Sequence, residues 1–151
     1  MLFAILCAAW VALDPALVDP VGPFATDPEW VDQNFTRCGR GRGHACVIDG
    51  DTIKLGQRKI RIIGIDTPEV VHPQCAEEAR KGEQATVKLM ELLNQGPFEM
   101  TGRFDDMKDR YGRDLRALNR TNADGTTTSI AEEMRKSGLA RRYVGMKSSW
   151  C

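Results

Sequence analysis

Between Cys46 and Ile65, three strand-forming runs, "CVI", "TIKL" and "KIRIIGI", are separated only by "DGD" and "GQR". Connections this short join antiparallel neighbours, because a parallel return needs a crossover of about a dozen residues or more. The stretch therefore predicts a three-stranded meander. It stops at "DTPE", where Pro68 has no N–H to donate to a ladder and keeps Thr67 out of the helical region.

Downstream, "CAEEARKGEQATVKLMELLNQGP" places Ala79, Val87, Met90 and Leu93 at near-helical spacing and closes on Gly96-Pro97, a helix stop. Gly82 weakens the first half of this helix without abolishing it. "FEMTGRF" and "RDLRALN" read as two more strands joined by the charged "DDMKDRYG". "NADG" marks a turn, and Ser129 with Glu132 forms a capping box before "IAEEMRKSGLARRY", which Gly138 ends or bends. Five strands with a helix between the third and fourth is the order of an OB-fold, a partly open Greek-key barrel that binds oligonucleotides or sugars. The expected class is thus α+β, mainly β: a five-stranded OB barrel with a C-terminal helix. Several other α+β folds share this order.

A chain of 151 residues carries one such domain, placed here at 37–151. Ahead of it, "MLFAILCAAWVAL" (1–13) is uncharged, too short to span a bilayer and of the right length for a signal-peptide core. It lacks a basic residue before the apolar run, so the expectations are an export signal whose start lies upstream, or a short membrane anchor. Residues 14–36, punctuated by Asp-Pro and Gly-Pro, read as an extended tether. The expected location is secreted or periplasmic, with anchoring by the N-terminal segment as the alternative. Net charge is zero, but all 21 bases lie from Arg37 onward with only sixteen of the 21 acids, so the domain carries about +5. That balance suits a polyanionic partner without requiring one.

Removal of a signal would leave Cys38, Cys46, Cys75 and Cys151, an even number suited to an oxidising compartment. The glycine-rich "GRGRGHA" turns back easily enough to favour Cys38 with Cys46, which leaves Cys75 for Cys151. A zinc site drawn from Cys38, His44, Cys46, His72 and Cys75 is the alternative, at spacings that match no common zinc module.

Two acidic pairs stand at strand ends: Asp49 and Asp51 around Gly50, and Asp66 and Glu69 around Thr67-Pro68. Singly, each is ordinary turn chemistry. Together they offer hard oxygen ligands of the kind calcium takes. Arg61, set among Ile60, Ile62 and Ile63, either faces solvent or is paired, because an inward unpaired charge is costly. An arginine beside clustered acids also suits phosphate, whose oxygens a guanidinium fork matches. Arg113 in "DRYGRDL" is a second such group.

"VIDGDTIKL", "IRIIGIDTPE", "DRYGRDL" and "GLARRY", in that order between about Cys46 and Tyr143, resemble the thermonuclease, or staphylococcal-nuclease-like, family. The resemblance implies an OB barrel and a calcium-dependent phosphodiesterase that cuts DNA and RNA to products ending in a 3′-phosphate, acting as a monomer with no obligate protein partner. It implies that the carboxylates of Asp51 and Asp66 and the backbone carbonyl of Thr67 hold calcium, with Asp49 supporting them from behind. Glu69 would act on the attacking water as base or orienting group. Arg61 and Arg113 would grip the phosphate, with Arg113 near the leaving 5′-oxygen. Arg110 and Tyr111 match positions that contact a terminal phosphate. Tyr143, beside Arg141 and Arg142, falls near the family's base-contacting tyrosines and would supply a stacking ring. Histidine has no catalytic part in the family: neither His44 nor His72 is read as acid or base, and His72 is read as a surface-loop residue.

The sequence departs from the family after "DTPE": "VVHPQCAEEARKGEQA" is partly acidic and contains Cys75, where a lysine-rich loop is usual. The competing function is a non-catalytic OB module for single-stranded nucleic acid, which needs basic and aromatic residues but not the full set of acids. The catalytic reading also makes a geometric demand. Arg61 and Asp66 are an odd number of residues apart, so a regular strand would send them to opposite faces. To meet at one phosphate, the chain must break its alternation near Gly64.

Overall fold

Part of the expected tether is built into the fold. In the computed structural model, which describes residues 22–39, 43–105, 107–143 and 145–151, Glu29–Val31 forms strand β1 and Thr36–Arg37 forms β2. Val31 and Phe35 are buried. The Asn94 side chain, at the end of the long helix, both accepts from and donates to the Phe35 backbone at 2.8 Å. The second half of 14–36 is therefore corrected from tether to edge strand and core. Its two anchoring apolar residues are too widely spaced among prolines and acids to show a period. Residues 14–21 and the apolar 1–13 lie outside the described residues.

The meander follows as expected: β3 (Ala45–Asp49), β4 (Thr52–Leu55) and β5 (Arg58–Ile62), paired antiparallel in sequence, with a register shift between Val47 and Asp49. Then come β6 (Ile65–Asp66), α1 (Ala76–Leu93), β7 (Phe98–Thr101), β8 (Asp114–Thr121), β9 (Thr127–Ser129), α2 (Ile130–Lys136) and β10 (Arg141–Arg142). The main sheet runs β1-β7-β8-β5-β4-β3-β2, with β9 beside β8, while β10 and β6 form a separate two-stranded sheet. The five barrel strands are β3, β4, β5, β7 and β8. The parallel β5–β8 pairing, with β7 on the far side of β8, gives the curled half-barrel an OB-like order.

Ile53, Ile60, Ile62, Leu89, Phe98 and Leu118 are central to the buried interior that joins sheet and helices. On α1 the buried residues are Glu78, Gly82, Ala85, Thr86, Leu89, Leu92 and Leu93; of the face read from sequence, Leu93 is among them and Met90 is partly buried against the core, but Val87 is 46% exposed. Hydropathy marks neither glycine nor threonine, yet both lie on the barrel side. Gly82 is needed there because a Cβ would stand 2.8 Å from the Glu69 carbonyl oxygen and 3.0 Å from that of Pro68. The helix thus presses directly on the loop after β6. Ser129 caps α2 by accepting from the Glu132 N–H at 3.4 Å, and Gly138 ends it at φ +75°. Among the described residues, no helix is long and apolar enough to cross a membrane.

Both expected disulfides are present, Cys38–Cys46 and Cys75–Cys151, with sequence separations of 8 and 76. The zinc alternative falls with them, since its cysteines are oxidised. Loop-closure entropy makes the longer bridge worth about 4 kcal/mol and the shorter roughly 2.5 kcal/mol. Urea unfolding of the Cys75→Ser/Cys151→Ser protein should show the larger loss of the two bridge deletions, serine being kept at 75 because that residue caps α1.

Candidate active site

The alternation does break. β5 ends at Ile62, Ile63 donates its N–H to the Arg116 carbonyl at 3.0 Å, and Gly64 takes φ +79°, which only glycine adopts freely. β6 then leaves the main sheet to pair with β10, Asp66 opposite Arg141. The kink brings the Arg61 guanidinium back onto its own loop, donating to the Ile65 carbonyl at 3.1 Å, and into an ion pair with Asp51.

Asp49, Asp51, Arg61, Thr67, Glu69 and Arg113 line an open cleft of ≈ 830 Å³, and Arg110, Tyr111 and Tyr143 line it too. Asp66 lines a smaller adjoining cavity of ≈ 350 Å³ that shares Thr67, Glu69 and Lys147 with the cleft. Thus the residues chosen from sequence converge on one region, with Asp66 one cavity away from the rest.

The two buried aspartates differ in what they lack. Asp51 Oδ1 meets Arg61 and accepts from the Thr52 hydroxyl at 3.0 Å, and its Oδ2 accepts from the Thr67 N–H at 3.2 Å and the Thr67 hydroxyl at 3.0 Å. Those four contacts use the carboxylate's capacity. Asp49 accepts from the Asp51 N–H at 3.1 Å and shapes the turn; burial raises its carboxyl against the pull of Thr52, Arg61 and Arg113. Asp66 is 4% exposed and its Oδ2 accepts from the Trp150 indole at 3.2 Å, but its buried Oδ1 has no hydrogen-bond partner. With no hydrogen bond to that oxygen, its charge is met by an ion pair with Lys147 Nζ at 3.6 Å, long enough that a cation or a donor would still be favoured there. Among the described residues no three His, Cys, Asp or Glu side chains gather ready to hold a metal. The donor chemistry nevertheless fits a hard divalent ion: two buried carboxylates, one left short, on either side of Thr67. A cation at Asp51 would take the place of one of its present donors.

Arg113 is aimed by Asp109, which accepts from its Nε at 2.7 Å and from its backbone N–H at 2.9 Å. Burial opposes the ionised form of Asp109, but the Arg113 contacts and the Tyr111 N–H outweigh it and hold its carboxyl below the usual range. A long contact from Arg113 to the Thr52 hydroxyl, 3.4 Å, links it to the group that also serves Asp51. Burial, then the nearness of Arg113, lowers the pKa of Arg61, while Asp49, Asp66 and Glu69 oppose the shift. Arginine stays protonated under such pressure, so two guanidinium groups face one cleft. Tyr111 stands out from the barrel, 68% exposed, taking a 2.7 Å hydrogen bond from Arg110, and Tyr143 is tied by its N–H to the Gly64 carbonyl at 3.1 Å.

Three site residues carry no motif. Lys147 contacts Glu69 at 2.5 Å; burial opposes its charge, but the Glu69 hydrogen bond and the charges of Glu69 and Asp66 raise its pKa overall. Trp150 is buried against Asp66. Glu78, on α1, accepts from the Glu69 N–H at 3.3 Å and the Gln74 N–H at 2.6 Å and so holds the loop after β6. One signal pointed to the first two: pairing Cys151 with Cys75 brings "KSSW" back beside "DTPE".

The model of the family described as staphylococcal nuclease homologue matches residues 59–149. Endonuclease YncB of Bacillus subtilis strain 168 is 37% identical over 98 residues, 62% of this chain and 44% of that protein. The SPbeta prophage-derived endonuclease YokF of the same strain is 36% identical over 98 residues, 62% of this chain and 31% of that protein. A thermonuclease of Staphylococcus hyicus is 39% identical over 74 residues, 46% of this chain and 42% of that protein. The matched region thus spans less than half the length of each relative.

Proposed function

Because this chain belongs to the staphylococcal nuclease homologue family, we propose that it is a calcium-dependent phosphodiesterase that hydrolyses DNA and RNA with little sequence preference to 3′-phosphate products. The observation that carries the reading is the convergence of Asp51, Arg61, Thr67, Glu69 and Arg113 on one cleft, beside an Asp66 oxygen that accepts no hydrogen bond.

Asp51, Asp66 and the Thr67 carbonyl would hold the cation, which when bound neutralises phosphate charge and lowers the pKa of water. Glu69 orients the attacking water and takes its proton once Lys147 yields the 2.5 Å contact. Attack on phosphorus is in line with the 5′-oxygen: the new P–O bond forms as P–O5′ breaks, the phosphate stays on the 3′ side, and the leaving oxygen picks up a solvent proton. Arg61 and Arg113 donate to oxygens on which charge builds, an effect strongest where water is excluded. Arg110, Tyr111 and Tyr143 border the same cleft, where a terminal phosphate and a stacked base would lie.

Export belongs to this proposal, with the 1–13 segment as signal or anchor. Two disulfides support it, since such bonds persist in oxidising compartments. The chain is proposed to act as a monomer. The deciding assay incubates it with single-stranded DNA in calcium or in chelator, beside Glu69→Ala. Cleavage should need calcium and collapse in the variant. Binding without calcium-dependent cleavage would make it a non-catalytic OB module instead.

A further inference from the structure

The segment 145–151 lies along the flank of the site and is held there at several points. Cys151 is bonded to Cys75, the cap of α1. Arg141 donates to the Ser149 carbonyl at 2.9 Å and lays its guanidinium 3.5 Å from the centre of the Trp150 ring. Arg141 is itself the ladder partner of Asp66, so the ring, the guanidinium and the carboxylate form one connected unit. Of this segment only Trp150 is buried, at 7% exposure.

We infer that Trp150 is a positioning residue: its indole N–H fixes Asp66 through Oδ2 so that Oδ1 is left facing a divalent cation, and the Cys75–Cys151 bridge keeps the indole in place. This rests on the reading above that Asp66 holds a cation. An indole is a donor with no acceptor site, so it orients the carboxylate without competing as a ligand. Pinning one oxygen removes the rotation by which the buried side chain would otherwise turn Oδ1 elsewhere. Lys147, four residues before Cys151, works in the opposite sense. Its ammonium is 3.6 Å from Oδ1 and repels a cation there. One short segment therefore holds both a group that prepares the ligand and a group that opposes its filling.

Calorimetric titration of the oxidised chain with calcium chloride, without nucleic acid, separates these effects. Trp150→Phe keeps a ring under Arg141 and loses only the donor; its calcium affinity should fall about tenfold, at the lower end for orienting partners of metal ligands. Cys75→Ser/Cys151→Ser should weaken binding in the same direction, and Lys147→Met should strengthen it. Opposite signs for Trp150→Phe and Lys147→Met are what a merely structural segment would not produce. Affinity in Trp150→Phe within twofold of the parent, or weakening in Lys147→Met equal to that in Trp150→Phe, overturns the inference while the parent still binds calcium. A parent that binds no calcium overturns the calcium reading itself and this inference with it.

Discussion

Arg113→Ala should lower calcium-dependent cleavage about 100- to 1000-fold, the usual cost of losing one donor aimed at developing charge, with little change in folding. Both halves follow from where the guanidinium sits. Its ion pair is with Asp109, four residues away in the same loop, and its side chain is 26% exposed, so the pair contributes roughly 1 kcal/mol or less to stability. It also makes a long contact to Thr52 and lies 5.4 Å from the centre of the Tyr111 ring. These contacts leave donors of the guanidinium to serve a ligand. Arg113→Lys should recover only part of the loss, because an ammonium keeps the charge but not the planar fork. Single-turnover cleavage alongside thermal melting is the measurement. A variant keeping more than about a tenth of the activity would place the phosphate grip elsewhere.

Arg61→Met should behave differently, because Arg61 serves stability as well as the site. Its side chain and that of Asp51 are 11% and 7% exposed, and removing the cation leaves a buried carboxylate without its counter-charge. Breaking one side of such a pair typically costs about 3–5 kcal/mol. Urea unfolding in chelator should show that loss. Calcium should return part of it, since ligand binding to the folded state adds stability. A second substitution, Asp51→Asn, should also recover part of the loss by removing the stranded charge, without calcium. A loss under about 1 kcal/mol would mean that Thr52 and Thr67 alone compensate Asp51.

The Arg61 case also shows how far a linear reading reaches. With both groups required at one phosphate, the odd spacing to Asp66 called for a break near Gly64, and the chain does turn there with φ +79°. The direction of Arg61 after the break was not legible: it bonds to its own loop and to Asp51 in the turn between β3 and β4 rather than standing free. The stripe on α1 was misjudged for a related reason. Hydropathy scores a residue by its own side chain, whereas Gly82 faces the barrel because of what it lacks beside the Glu69 and Pro68 carbonyls. β1 was missed because a three-residue edge strand among prolines has no period to detect.

Neighbouring residues alone dictate the short turns that force the meander, the Ser129 cap, the glycine that permits a break at 64, and, through the glycines between them, the Cys38–Cys46 bridge. The motif order also named the acids and arginines. Folding settles what depends on distant chain segments meeting. It set Asp51 as the satisfied carboxylate and Asp66 as the one left short, and it brought Lys147 and Trp150 to the site across 78 and 84 residues. Turn and cap preferences are fixed within a few bonds. Whether a buried oxygen finds a partner depends on every element that folds around it.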